Sequence, residues 1–141
     1  PDLFLNRLDV CSHPDFADLA GVCVSSHLLI RRDGQLIQFV PFHERAWHAG
    51  ESSFRGRPGC NDFSVGIELE GTDHSGYDLK QYQQLAAVCR LLLATWQIPA
   101  DHIVGHSDIA PGRKTDPGPQ FDWAEFRTML AADPSAFDSV R

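Results

Sequence analysis

The sequence lacks closely spaced cysteine pairs and any hydrophobic run long enough to cross a membrane. Its four cysteines, Cys11, Cys23, Cys60 and Cys89, show no CxxC spacing, so we expect buried, reduced thiols and not a disulfide framework or a cysteine-rich metal site. No signal peptide is recognisable. These absences favour a reducing compartment, and they predict no membrane partner.

Basic residues are also scarce. The chain has 12 Lys and Arg against 19 Asp and Glu, which gives a formal net charge of −7 at pH 7. Because phosphate backbones bind basic surfaces, nucleic acid is not an expected partner. The length of 141 residues and the absence of repeats, low-complexity tracts and linkers predict a single domain over residues 1–141.

The order of the predicted elements indicates an α/β fold, a central mixed β-sheet flanked by helices. Residues 26–40 are typical of a β-hairpin, with Asp33 and Gly34 in a type I′ turn. Residues 63–70 alternate strictly between apolar and polar or small residues, which predicts a strand. Residues 103–105 are expected to form a short buried strand that ends at His106.

Two helices are predicted. The first covers about residues 79–96, where apolar side chains recur at helical spacing and Asp78 with Gln81 forms a capping box. The second begins at Asp122 and is expected to bury Trp123, Phe126 and Leu130. These aromatic residues are interpreted as core residues.

The residues best suited to chemistry are concentrated in residues 105–118, GHSDIAPGRKTDPG. His106 and Asp116 offer an imidazole nitrogen and a carboxylate oxygen, both of which are good zinc ligands. Lys114 would stabilise negative charge on an attacked carbonyl group. A loop rich in Gly, Pro and Asp is also typical of a solvated turn, which is the alternative interpretation.

Two carboxylates on the predicted strand 63–70 are a further signal. The alternation places Glu68 and Glu70 on the same face, opposite the apolar residues. A carboxylate close to a zinc-activated water would act as a general base. Two solvated acids on an exposed face are the alternative, and the alternation does not choose between Glu68 and Glu70.

Three segments, RAWHAG at 45–50, CNDFSVGIELEGTD at 60–73 and the segment 105–118, together resemble the AmpD-type zinc N-acetylmuramoyl-L-alanine amidases. Peptidoglycan recognition proteins and phage T7 lysozyme share that fold. The resemblance implies hydrolysis of the amide that joins N-acetylmuramic acid to the L-alanine of a stem peptide. The motifs are most similar to the cytosolic recycling branch, so we expect a cytoplasmic monomer that binds 1,6-anhydro-muropeptides.

The resemblance also implies residue roles. His106 and Asp116 match zinc ligands. Glu68, and not Glu70, matches the catalytic glutamate, and Lys114 matches the lysine that stabilises the transition state. Trp47 matches a position that lines the substrate cleft.

One part of the family pattern has no match in this sequence. In the family the first zinc histidine lies on an early strand, in a Val-Val-His-Asn-type motif, whereas His27 matches a histidine that is not usually a ligand. Either the sequence is part of a longer protein that carries that strand, or the site has two ligands and binds zinc weakly. The alternative function is a non-catalytic muropeptide-binding module of the same fold.

Overall fold

The computed structural model describes residues 26–72 and 74–132. The strands are Leu28–Ile30 (β1), Leu36–Gln38 (β2), Ser53–Phe54 (β3), Arg57–Pro58 (β4) and Ile67–Leu69 (β5), and the helices are Leu79–Trp96 (α1), His106–Ile109 (α2) and Trp123–Ala131 (α3). Short 3₁₀ turns span Cys60–Asp62 and Ala100–His102. No helix in these two described ranges has the length and apolar character needed to cross a membrane.

The main sheet is mixed, as predicted. Its strand order is β2-β1-β5, with β1 antiparallel to β2 and parallel to β5. Leu29 in the middle of β1 pairs with Ile37 on one side and with Glu68 on the other. This register places Glu68 in the centre of the strand that borders the candidate site.

The predicted hairpin forms, but its turn is not type I′. A type I′ turn needs positive φ at both central residues, and of Asp33 and Gly34 only Gly34 has one, at 87°. The Gly34 N–H donates to the Arg31 carbonyl at 2.8 Å, and the Arg31 N–H donates to the Gln35 carbonyl at 2.9 Å. The connection is therefore a three-residue loop that places its glycine in the left-handed region.

The strand predicted over residues 63–70 is shorter than expected. The Phe63 N–H bonds back to the Cys60 carbonyl, which keeps the first residues in the preceding turn, and only Ile67–Leu69 forms ladder pairs. The predicted faces are confirmed, because Ile67 and Leu69 pack on the core whereas Glu68 is exposed.

The strand predicted over residues 103–105 is wrong. The Ile103 N–H donates to the Ala100 carbonyl and so belongs to a 3₁₀ turn, and Val104 is 38% exposed. Asp108 Oδ2 then accepts a hydrogen bond from the Gly105 N–H at 2.8 Å, which starts α2 at His106. Local hydrogen bonds therefore decide the conformation of this short apolar run.

Helix α1 has the predicted bounds and packs between the sheet and α3. Its buried residues join those of the sheet and of α3 in the main core cluster, Ile30, Tyr82, Leu85, Ala86, Cys89, Phe121, Phe126 and Met129. Gln81 is fully buried at the start of the helix and donates to the carbonyls of Ile30 and Glu70. The same side chain accepts a hydrogen bond from the Asp78 N–H, so it caps the helix and ties it to the sheet.

The second predicted helix is confirmed as α3. Asp122 accepts a hydrogen bond from the Glu125 N–H at 3.0 Å and so caps the helix as expected. Phe126 is fully buried, whereas Trp123 and Leu130 are partly buried against the same cluster. Because α3 packs against α1, it holds in place the chain segment that follows residues 105–118.

Candidate active site

Residues 105–118 fold back on themselves, and this brings the two predicted metal ligands together. Helix α2 ends after a single turn at Ala110, whose φ is −138° and which is followed by Pro111, a residue without an N–H to continue the helix. The Lys114 N–H then donates to the Ala110 carbonyl at 3.0 Å. The Ser107 N–H then donates to the Asp116 carbonyl at 3.0 Å. The beginning and the end of the segment are thus held side by side.

A glycine permits this close approach. A Cβ atom at Gly105 would lie 2.7 Å from Cδ of Pro117, which is too short for a real contact. Tyr77 donates from its hydroxyl to the Pro117 carbonyl at 2.8 Å and holds the returning chain from outside. The glycine and proline that make the loop look like a simple turn in the sequence therefore shape the site.

The His106 and Asp116 side chains converge at this point. His106 Nδ1 lies 3.3 Å from Asp116 Oδ2, and His106 Nε2 donates to the Ala49 carbonyl at 2.8 Å. Because a carbonyl oxygen can only accept, Nε2 carries a proton, and Nδ1 faces the carboxylate, to which it donates when the ring is protonated. An imidazole nitrogen and a carboxylate oxygen on either side of one small space suit a cation, and a backbone carbonyl behind the histidine is the usual support of a zinc ligand.

The electrostatics of the pair agree with this interpretation. The hydrogen bond to Asp116 is the main reason that the pKa of His106 is raised, although partial burial opposes the shift. Burial disfavours the charged form of Asp116, but the hydrogen bond and the charge of His106 outweigh it and lower the pKa of that carboxyl. The pair therefore attracts positive charge between its two atoms.

Within residues 26–72 and 74–132, no group of three or more His, Cys, Asp or Glu side chains is arranged to hold a metal ion. The residues that fit a zinc ion are thus two, His106 and Asp116. Their donor atoms are of the right chemical kind for zinc, and their mutual orientation is fixed by the fold. The roles of His106 and Asp116 as metal ligands therefore remain predictions.

Lys114 lies close to both candidate ligands. Its positive charge slightly opposes the rise in the pKa of His106 and adds to the fall in the pKa of Asp116. Its side chain lines the same cleft as theirs. This is the placement expected of a cation that would meet negative charge on a substrate bound beside the pair.

The two strand glutamates have different surroundings, which the sequence pattern did not separate. Glu70 Oε2 accepts a hydrogen bond from the Arg32 N–H at 2.8 Å and lies 3.8 Å from Nε of Arg31. That carboxylate is therefore used to hold the hairpin turn. Glu68 lies in the middle of β5, and both glutamates line the cleft that also contains His106, so the ion pair and the hydrogen bond of Glu70 are what distinguish the two.

Trp47 lies on the wall of the cleft, with 49% of its surface exposed. The Arg45 guanidinium stacks over the Trp47 ring at 3.9 Å and forms an ion pair of 3.0 Å with Asp62. A partly exposed indole held flat by an arginine is a suitable surface for an apolar face of a ligand.

Sequence analysis missed a pair of histidines behind the cleft. His27 is buried, accepts a hydrogen bond from the Gly66 N–H through Nδ1 and donates from Nε2 to the Glu44 carbonyl. His48 donates from Nε2 to the Ser64 hydroxyl, and burial is the main reason that its pKa is lowered to about 4. In the sequence, a histidine beside an apolar strand was the signal that could have indicated a buried imidazole. Both ring nitrogens of His27 are used within the fold.

Comparison with known proteins gives the family. The sequence profile described as N-acetylmuramoyl-L-alanine amidase matches residues 2–119. This chain belongs to that family. The α/β fold, predicted from the order of the elements, and the assignment as an amidase, predicted from the three motifs, are both confirmed.

Individual relatives agree with the family assignment. The 1,6-anhydro-N-acetylmuramyl-L-alanine amidase AmpD of Salmonella typhimurium (strain SL1344) is 58% identical over 129 residues, which are 92% of this chain and 69% of the relative. A crystal structure of a selenomethionine derivative of AmpD superposes with a TM-score of 0.80 at 57% identity, covering 91% of this chain and 72% of that one. The amidase AmiD of Escherichia coli, solved in complex with anhydro-N-acetylmuramic acid-L-Ala-D-γ-Glu-L-Lys, gives a TM-score of 0.73 at 34% identity, covering 92% and 59% of the two chains.

Proposed function

We propose that this amidase hydrolyses the bond between 1,6-anhydro-N-acetylmuramic acid and the L-alanine of a muropeptide, as a step of peptidoglycan recycling. The observation that carries the proposal is the approach of His106 Nδ1 to Asp116 Oδ2, 3.3 Å apart, in a cleft that Glu68 and Lys114 also line. The names of the similar AmpD enzymes and the anhydromuramyl peptide bound to AmiD support the choice of substrate.

His106 and Asp116 are the residues that would hold a zinc ion. Bound zinc supplies Lewis acidity, which makes a water molecule more acidic and polarises a carbonyl group. Catalytic zinc sites take three protein ligands. The family pattern predicts a histidine as the third ligand, and no third ligand joins the pair within residues 26–72 and 74–132.

Glu68 acts as the general base in this proposal. Its carboxylate takes a proton from the attacking water as the new C–O bond forms, and it returns that proton to the alanine nitrogen as the C–N bond breaks. Glu70 is not suited to this role because its carboxylate is engaged with Arg31 and Arg32. Lys114 stabilises the negative charge on the carbonyl oxygen between those two steps.

Trp47 binds the substrate next to the reacting amide. Its exposed ring offers an apolar face for the sugar or the first residues of the stem peptide. Binding there holds the scissile carbonyl in the cleft, and the contact is the same in the ground state and in the transition state. Trp47 therefore contributes to substrate affinity and not to kcat.

We also propose that the protein acts in the cytoplasm as a monomer. The resemblance of its motifs to the cytosolic recycling branch supports the location, and the free, buried thiols of Cys60 and Cys89 are compatible with a reducing compartment. Light scattering of the purified protein tests the monomer, and fractionation of the source cells tests the location.

Substitution of the two carboxylates separates the roles. Asp116→Ala is expected to abolish zinc binding, whereas Glu68→Ala keeps zinc and lowers kcat by about 10²- to 10⁴-fold. Glu70→Ala is the matched control from the same strand face, and it should retain both zinc and turnover. Loss of metal in Glu68→Ala would make Glu68 a ligand, and a zinc-loaded wild type that binds anhydromuramyl tripeptide without cleaving it would establish a binding module instead.

A further inference from the structure

The backbone of Ala49 is hydrogen-bonded through both its carbonyl and its N–H. Ala49 is 1% exposed, and its carbonyl accepts from His106 Nε2 at 2.8 Å and from Arg113 Nη2 at 2.6 Å. Its N–H donates to Asn61 Oδ1 at 2.8 Å, and the same oxygen accepts from the N–H of His48 at 3.0 Å. The Ala49 carbonyl is thus the only described hydrogen-bond partner of His106 Nε2; Arg113 holds that carbonyl directly, and Asn61 holds the two preceding N–H groups.

Arg113 holds more than one carbonyl of this segment. Its Nη2 also donates to the Glu51 carbonyl at 2.8 Å, and its Nε donates to the same oxygen at 3.2 Å. The fork of the guanidinium therefore spans two carbonyls that lie two residues apart in the chain. Gly50 between them has a φ of 63°, and a Cβ atom there would lie 2.9 Å from Arg113 Nη2.

The position of Arg113 in the chain connects these hydrogen bonds with the candidate site. It precedes Lys114 directly and lies within the loop that returns from α2 to Asp116. The N–H groups of Arg113 and Lys114 both donate to the Ala110 carbonyl, at 3.1 and 3.0 Å. The guanidinium therefore ties the loop that carries Lys114 and Asp116 to the segment behind His106.

We propose that Arg113 is a positioning residue for His106, and this rests on the proposed metal-dependent function. By fixing the Ala49 carbonyl, Arg113 keeps Nε2 of His106 protonated and hydrogen-bonded, so that Nδ1 faces Asp116 as a ligand. Partners of this kind, one step removed from the metal, typically change metal affinity or activity by about 10- to 100-fold when removed. Arg113 is exposed, so its removal leaves no buried charge and the variants are expected to fold.

Zinc affinity is the first test. Arg113→Gln is expected to weaken zinc binding by about 10- to 100-fold, with an unchanged KM for the muropeptide at saturating zinc. Arg113→Lys keeps the charge but not the fork, so it should not restore the affinity. Arg127→Gln, which removes an exposed arginine on α3, is the matched control and should bind zinc like the wild type.

A readout in the metal-free protein makes the test independent of activity. The hydrogen-bonded Nε2 proton of His106 should give a downfield, slowly exchanging signal in proton NMR of the wild type, and that signal should be lost or exchange faster in Arg113→Gln. Gly50→Ala is a second variant that displaces the guanidinium while keeping the arginine, and it should reproduce both effects.

The outcomes are distinct. If the wild type binds zinc and Arg113→Gln shows the same zinc affinity and the same His106 signal, the inference is overturned. The proposed function then still stands. Full recovery in Arg113→Lys, or a raised KM with unchanged zinc affinity, would overturn it in favour of a substrate contact. A wild type that binds no zinc would contradict the proposed function, whereas the His106 signal would still decide the role of Arg113.

Discussion

The imidazole ring of His48 lies directly against the backbone of Gly66, in space that any side chain at that position would fill. Gly66 precedes β5, the strand that carries Glu68, so this contact joins the segment of Trp47 to the strand with the proposed base. The N–H of Gly66 also donates to Nδ1 of His27 at 3.1 Å. The glycine of the Ser-Val-Gly-Ile-Glu motif is therefore required by packing, and not by an unusual φ.

Gly66→Ala tests that contact. The added methyl group would overlap the His48 ring, and overpacking of this kind costs about 1–3 kcal/mol in the free energy of unfolding. Gly76→Ala is the matched control, because nothing lies within 4 Å of a Cβ atom there. Urea unfolding of both variants measures the difference, and equal stabilities would contradict the packing described.

The neutral state of His48 predicts a pH dependence of stability. Burial lowers its pKa from 6.5 to about 4 in the folded protein, so below pH 6.5 the unfolded chain takes up a proton that the folded protein does not. Stability is therefore present above pH 6.5 and is lost as the pH falls towards 4, by at most about 3 kcal/mol from this group. Urea unfolding of wild type and His48→Gln across this range should show a steeper loss in the wild type, and parallel curves would refute the assignment.

The buried Gln81 should be needed for the attachment of α1 to the sheet. Gln81→Leu removes the donor to the Glu70 carbonyl and the acceptor of the Asp78 N–H, whereas the Ile30 carbonyl keeps the Glu70 N–H as a donor. Leaving a buried polar group without a partner costs about 1–3 kcal/mol. Gln83→Leu changes an exposed glutamine on the same helix and should stay within about 0.5 kcal/mol of the wild type. A stability of Gln81→Leu equal to that of Gln83→Leu would show that the hydrogen bonds contribute nothing net.

Lys114 should affect the rate and not the metal. Lys114→Met keeps much of the side-chain length but removes the charge beside His106 and Asp116, and loss of one such stabilising group typically lowers kcat by about 10²- to 10³-fold. Zinc content should be unchanged. Lys80→Met, on the exposed side of α1, is the control for removal of a lysine. An unchanged kcat in Lys114→Met would exclude a role in the chemical step.

The sequence predicted the long elements well because their signals are local and repeated. The bounds of α1 follow from a long helical stripe and from Asp78, and the mixed sheet follows from the hairpin and the alternation that ends at Leu69. Short segments were predicted less well. The apolar residues of 103–105 have the composition of a strand, but the hydrogen bonds of the neighbouring turn and of Asp108 decide their conformation.

The candidate site was likewise predictable only in part. The proximity of His106 to Asp116 was predicted from the motif, and the structure places them 3.3 Å apart. The carbonyl of Ala49 behind His106 was not predictable, because a backbone acceptor has no residue type that marks it. The contacts of Arg113 were not predictable either, since its partners Ala49 and Glu51 lie more than 60 residues earlier in the sequence.

The most direct test of the central claim is the site of cleavage in a muropeptide. Zinc-loaded protein is incubated with 1,6-anhydromuramyl tripeptide in ¹⁸O-labelled water, and the products are identified by mass spectrometry, with Glu68→Gln as the control. We expect free tripeptide with an unlabelled amino terminus and anhydro-N-acetylmuramic acid with the label in its lactyl carboxylate, and both should be nearly absent from the Glu68→Gln reaction. An intact substrate with zinc-loaded wild type, or label in the peptide after cleavage of another bond, would contradict it.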